Sequence, residues 1–115
     1  MNTDERAGGL ASLDKGLVED LRRSLLGCAG DRIRSIILYG SRASGNARAD
    51  SDFDVLVVER PPVAKREERR RLRHALHNFP RSVDVWVMDE EEFDETKNII
   101  GGIAYPANKY GVRLE

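Results

Sequence analysis

The chain has 115 residues, 34% of them charged, and a formal net charge of −1, which bounds it to one domain with a modest core and supplies no field that would draw it onto nucleic acid. Its one cysteine cannot form an internal disulfide and fits a reducing cytosol. With no run near the ~20 apolar residues of a membrane span and no signal-peptide pattern at its start, the expectation is a soluble cytoplasmic domain with no membrane partner.

Residues 1–9 are polar and are expected to be a disordered tail, leaving 10–115 as the folded domain. From Leu10 onward Leu13, Leu17, Leu21 and Leu25 recur every three or four residues, an amphipathic helical stripe. Gly27 and Gly30 are candidate C-caps. Cys28 stands between them with no His or second Cys beside it, so it reads as a core filler and not a reactive thiol. An apolar strand is predicted over 33–39, and it runs directly into Gly40-Ser41.

Gly40 permits a positive φ and close backbone approach, so the N–H groups of the turn can point at an anion. Ser41 would then bond a phosphate oxygen at the start of a short helix. Arg42 and Arg48 in the same segment read either as phosphate-neutralising or as solvated arginines. Ser51 reads as bonding its local backbone. Ten residues after Gly40-Ser41 comes Asp52-x-Asp54, which opens a second predicted strand over 53–59. Side chains alternate along a strand, so Asp52 and Asp54 share a face. Two adjacent carboxylates repel unless a cation sits between them, and a divalent metal with oxygen ligands, usually Mg²⁺, is the simplest one.

Pro61 and Pro62 close the second strand, and a helix is predicted over 63–78, with Leu72, Ala75, Leu76 and Phe79 as its buried face. Its many arginines are interrupted by Glu67 and Glu68 and lack aromatic platforms, which favours a solvated face, or a protein-docking face, over a nucleic-acid site. His74 and His77 share that helix without a third ligand and read as ordinary histidines. A third strand over 82–88 carries Asp84 among valines. An acid there is costly unless it is paired or metal-bound; Arg81 is the structural alternative. Asp89 with Glu92 reads as a capping box. A helical stripe of Phe93, Thr96, Ile100 and Ile103 should follow, broken near Gly101-Gly102 and ended by Pro106, with a short final strand within 110–114. Leu114-Glu115 reads either as native or as an added tail.

Gly40-Ser41, the ten-residue spacer, Asp52-x-Asp54 and the later Asp84 resemble the polymerase-β-type nucleotidyltransferase superfamily. Small size and the ending I-A-Y-P-A-N-K-Y-G-V are similar to the minimal nucleotidyltransferase (MNT) antitoxins of HEPN/MNT toxin–antitoxin pairs, over roughly residues 33–112. The order of these elements reads as an α/β fold with a small mixed sheet, helices packed on one face and the acids on the other. The resemblance implies the same fold, the polymerase-β-like one. It also implies two Mg²⁺ ions held by Asp52, Asp54 and Asp84, with Asp84 helping to deprotonate the attacking hydroxyl, and ATP bound at Gly40, Ser41 and Arg42. The activity it implies is transfer of AMP to a tyrosine of a HEPN ribonuclease toxin. A chain this short is expected to complete its site with a partner or a second copy. A purely masking antitoxin and a small-molecule nucleotidyltransferase are the alternatives.

Overall fold

The computed structural model describes residues 12–45, 47–48 and 51–115. The expected tail over 1–9, the helix start at Leu10 and the packing of Leu13 lie outside the described residues and side chains. Helix α1 (Ser12–Ala29) is followed by β1 (Ile33–Tyr39), the single turn α2 (Ser41–Ser44) and β2 (Phe53–Glu59). Helix α3 (Lys65–Ala75) leads to β3 (Val83–Asp89), then α4 (Glu90–Thr96), α5 (Ala104–Tyr110) and β4 (Val112–Arg113).

The strands form one mixed sheet in the order β3-β2-β1-β4. β1 runs antiparallel to β2 and β4, whereas β3 lies parallel to β2 after the α3 crossover. Period-two alternation sends Phe53, Val55, Val57, Val85 and Val87 to one face, together with Ile36 and Leu38. Against that face pack Val18, Leu21 and Leu25 of α1 and Leu72 of α3, with Leu76 just beyond it. Phe79 meets Phe53 edge-to-face at 5.4 Å.

The second face is covered too, at the far end of the strands. Ile37, Leu56, Val58 and Met88 bury against Phe93 of α4 and against Ala104 and Ala107 of α5. The long helices therefore share one face, and two short helices add cover to the other, which the expectation of helices on one face alone did not include. A further departure is that α1 continues through Gly27 and ends at Ala29. Gly30 follows the helix end, its N–H reaching the Leu26 carbonyl at 2.8 Å.

The C-terminal third departs most from its expected stripe. Asp89 caps α4 as expected, accepting the Glu92 N–H at 2.8 Å, and three glutamates in the first turn favour the positive end of the helix. The helix stops at Thr96, however, and Ile100 is 81% exposed. Pro106 does not end a helix; it lies in the first turn of α5, where a missing N–H costs nothing. A carboxyl pair unannounced by any motif anchors α3 to the end of β2. Arg32 donates to both Glu68 oxygens at 2.9 and 2.8 Å and to Glu59 at 3.4 Å, and Arg71 also binds Glu68. Glu59 is 1% exposed, and its Oε2 has no partner among the described residues.

Candidate active site

Sheet register builds the site. Asp54 stands directly beside Asp84 on the parallel neighbour and directly opposite Tyr39 on the antiparallel one. Alternation then puts all three side chains on the second face, at the end that α4 and α5 leave open. Asp52 precedes β2 by one residue and is exposed. The three expected acids thus converge at one end of two parallel strands.

Gly40 explains the Gly-Ser turn. Its φ of +75° with ψ −157° belongs to a region that is essentially glycine-only. A Cβ at this position would overlap the Asp54 carboxylate oxygen Oδ2 and lie 3.2 Å from its carbon. The absence of a side chain is what lets the Asp54 carboxylate lie against the turn. The Gly40 carbonyl accepts from the N–H groups of Ala43 and Ser44, both at 3.1 Å. This coils the chain into α2, with Ser41 as its first residue.

Arg42 has a different place from the one expected. It is buried, donates from Nε and Nη2 to the Ser51 carbonyl at 3.2 and 2.9 Å, and lies 4.4 Å above the Phe53 ring. It therefore braces the returning loop that delivers Asp52. Ser51 closes that loop locally, accepting from the Arg48 N–H at 2.8 Å, as its position suggested. The Arg48 residue is exposed. His74 of α3 and His77 just beyond its end stack on each other with centroids 5.1 Å apart, and among the described residues no third His, Cys, Asp or Glu joins them in a metal-holding group.

Three residues of the site carry no motif. Trp86 donates from Nε1 to Asp84 Oδ2 at 3.1 Å, being two residues along the same strand face. Arg69 crosses from α3 over the open edge of β3. Its Nε binds the Val85 carbonyl at 2.7 Å and its Nη2 reaches Asp84 Oδ1 at 3.3 Å. The same guanidinium lies 3.7 Å over the Trp86 ring. Tyr39 is the third, its phenol pushed up to about 12 by burial and then by Asp54 and Asp84. Strand alternation alone could have flagged Trp86. Arg69 could be read only once α3 was known to lie along the β3 edge.

The electrostatics agree with this crowding. Asp54 is held above its ordinary carboxyl range, first by burial, then by the charges of Asp84 and Asp52. An oxygen-preferring divalent cation relieves such a strain directly, so the donor set and its charge fit Mg²⁺. The side chains are not yet in ligating array. Among the described residues no three His, Cys, Asp or Glu groups stand ready to hold a metal, and the Asp84 oxygens accept from Arg69 and Trp86.

The nucleotidyltransferase domain family matches residues 17–102. The chain belongs to that family. No curated protein matches the chain closely enough to narrow it further. As a nucleotidyltransferase domain it carries its match from α1 through the α4–α5 connection, so the Gly40 turn, both acid strands and the Arg69 crossover all lie inside it. Among the described residues no helix is long and apolar enough to cross a membrane.

Proposed function

We propose that this nucleotidyltransferase domain is an antitoxin of the MNT type, a protein adenylyltransferase that moves AMP from ATP to a tyrosine of a cognate HEPN ribonuclease toxin. The observation that carries the transferase reading is the adjacency of Asp54 and Asp84 across parallel strands with Gly40 pressed against Asp54. The antitoxin role and its target rest on the resemblance of the motif and the C-terminal segment.

In this reading Asp52, Asp54 and Asp84 would hold two Mg²⁺ ions, which would supply charge neutralisation for a triphosphate and its in-line displacement. Ser41 and the N–H groups of its turn orient the phosphates. Asp84 takes the proton of the acceptor hydroxyl as its oxygen bonds to the α-phosphorus. The bond from that phosphorus to the β-phosphate bridge oxygen breaks, and pyrophosphate carries away the electron pair. The loop braced by Arg42 keeps Asp52 in place through the step.

A second reading has its own support. The Arg69–Asp84 ion pair suits a masking antitoxin whose acids no longer work. Intact mass spectrometry of the neighbouring-gene product separates the two, after incubation with ATP, Mg²⁺ and this protein or its Asp52→Ala/Asp54→Ala form. Whole AMP units added only by the unsubstituted protein are expected. A tight complex without added mass would leave the masking reading standing alone.

A further inference from the structure

The groove along the open edge of β3, about 880 Å³ in volume, has no role in holding the phosphates in the reading above. One wall is a face of α3. Lys65, Arg69 and Arg73 follow each other at four-residue spacing with Arg66 and Arg70 beside them, so five cations project into one trough. Only two acids, Glu67 and Glu92, line it. The opposite wall is apolar, built from Val87, Met88 and Ile103.

Their partners sort these cations. Lys65 is held by Glu92 at 2.6 Å and Arg70 by Glu67 at 2.7 Å. Arg69 joins the trough to Asp84. Arg66 and Arg73 are exposed and make no ion pair among the described residues. Two uncommitted guanidinium groups thus line a trough that Arg69 links to Asp84, the acid expected to receive the acceptor's proton.

We propose that this groove docks an acidic, extended segment of the protein acceptor and aims its hydroxyl at Asp84. The inference rests on the transferase reading and adds the acceptor's chemistry to it. Charge complementarity selects an anionic occupant. The apolar wall suits side chains of a polypeptide. Trp86 lies under Arg69 and offers no free stacking platform for a base, which sets a single-stranded nucleic acid below a peptide.

The test is fluorescence anisotropy with a fluorescein-labelled random copolymer of glutamate and tyrosine, titrated with the full chain. Oligothymidylate of similar charge and unlabelled Mn²⁺–ATP serve as competitors. The copolymer should bind, weaken with salt, and lose about tenfold or more in affinity on Arg66→Glu/Arg73→Glu, which reverses two exposed charges. Mn²⁺–ATP binding should stay unchanged in that variant. Equal binding by the variant overturns the groove. So does tighter binding of oligothymidylate, and so does displacement of the copolymer by Mn²⁺–ATP, which would make the trough a triphosphate site. Charge-sensitive binding without AMP incorporated into the copolymer supports the groove and counts against the transferase reading alone.

Discussion

Burial at Glu59 makes the stability of this domain depend on pH in a direction opposite to the usual acid denaturation. Burial, followed by the neighbouring Glu68, pushes the Glu59 carboxyl up to about 7 from its ordinary 4.5, while Arg32 works against that rise. The folded chain therefore binds more protons than the unfolded chain between those two values, so stability falls as pH rises through them. At about 1.4 kcal/mol for each pH unit, the gap amounts to at most about 3–4 kcal/mol, fully present below 4.5 and gone above 7. Glu68 is lowered, so its contribution is present above 4.5 and is lost only as pH falls below that value. The two windows do not overlap.

Urea denaturation followed by far-UV circular dichroism, in steps from pH 4.5 to 8, reads the effect. A loss of that size would move the midpoint by about 1 M or more. Glu59→Gln keeps the shape and a donor toward Glu68 without the titration, so its midpoint should stay nearly level across the window. A wild-type midpoint that does not fall toward pH 8, or a Glu59→Gln variant that falls equally, would refute the argument. Asp54 titrates in the same direction, being also raised, and Asp54→Asn in parallel isolates its share.

Three further outcomes follow from the site. Gly40→Ala should cost about 2 kcal/mol or more in urea denaturation, from a glycine-only backbone conformation plus overlap with Asp54. In an Asp54→Ala background the same substitution should cost distinctly less, and additive losses would deny the contact. Asp54→Asn removes a crowded charge, so it should stabilise the domain by about 0.5–1 kcal/mol while abolishing transfer, measured by urea midpoint and by AMP incorporation. Arg69→Ala removes a cation from Asp84; Mn²⁺ affinity by titration calorimetry should rise about threefold to tenfold, against a stability loss under about 1 kcal/mol. Weaker Mn²⁺ binding in that variant would mean Arg69 orients Asp84 for the metal.

The strands and the acids were legible because their signals are local. Apolar runs bounded by turn residues mark the strands, so 33–39 and 53–59 coincide with β1 and β2, and the alternation around Asp84 marks β3. Asp54 and Asp84 needed only the pairing of two such strands to meet. The partners of Arg42, the Ser51 carbonyl and the Phe53 ring, were not legible, because they are brought to it by a loop whose path no spacing rule predicts. The Glu59–Arg32–Glu68 cluster joins three separate elements, and each residue alone looks like a solvated charge. The break expected near Gly101-Gly102 begins earlier, directly after Thr96, for a physical reason. The expected stripe ran through Asn98 to Gly102, where glycine entropy outweighs two isoleucines that have nothing to bury against.

The two sides of the site are fixed by different kinds of interaction, and this bears on how specificity is set. The Gly40 side is backbone geometry: a positive-φ glycine, a single helical turn and a carboxylate packed where a side chain cannot be. Almost any change there also disturbs the fold. The other side is a stripe of exposed arginines on α3, whose buried face is secured separately by Leu72 and by the Glu68 cluster. Arg66 and Arg73 can be exchanged without touching either anchor, since surface substitutions of this kind usually leave stability within about 0.5 kcal/mol. On the proposed docking, substitutions along that stripe should change acceptor choice while leaving the Gly40–Asp54 geometry as it stands.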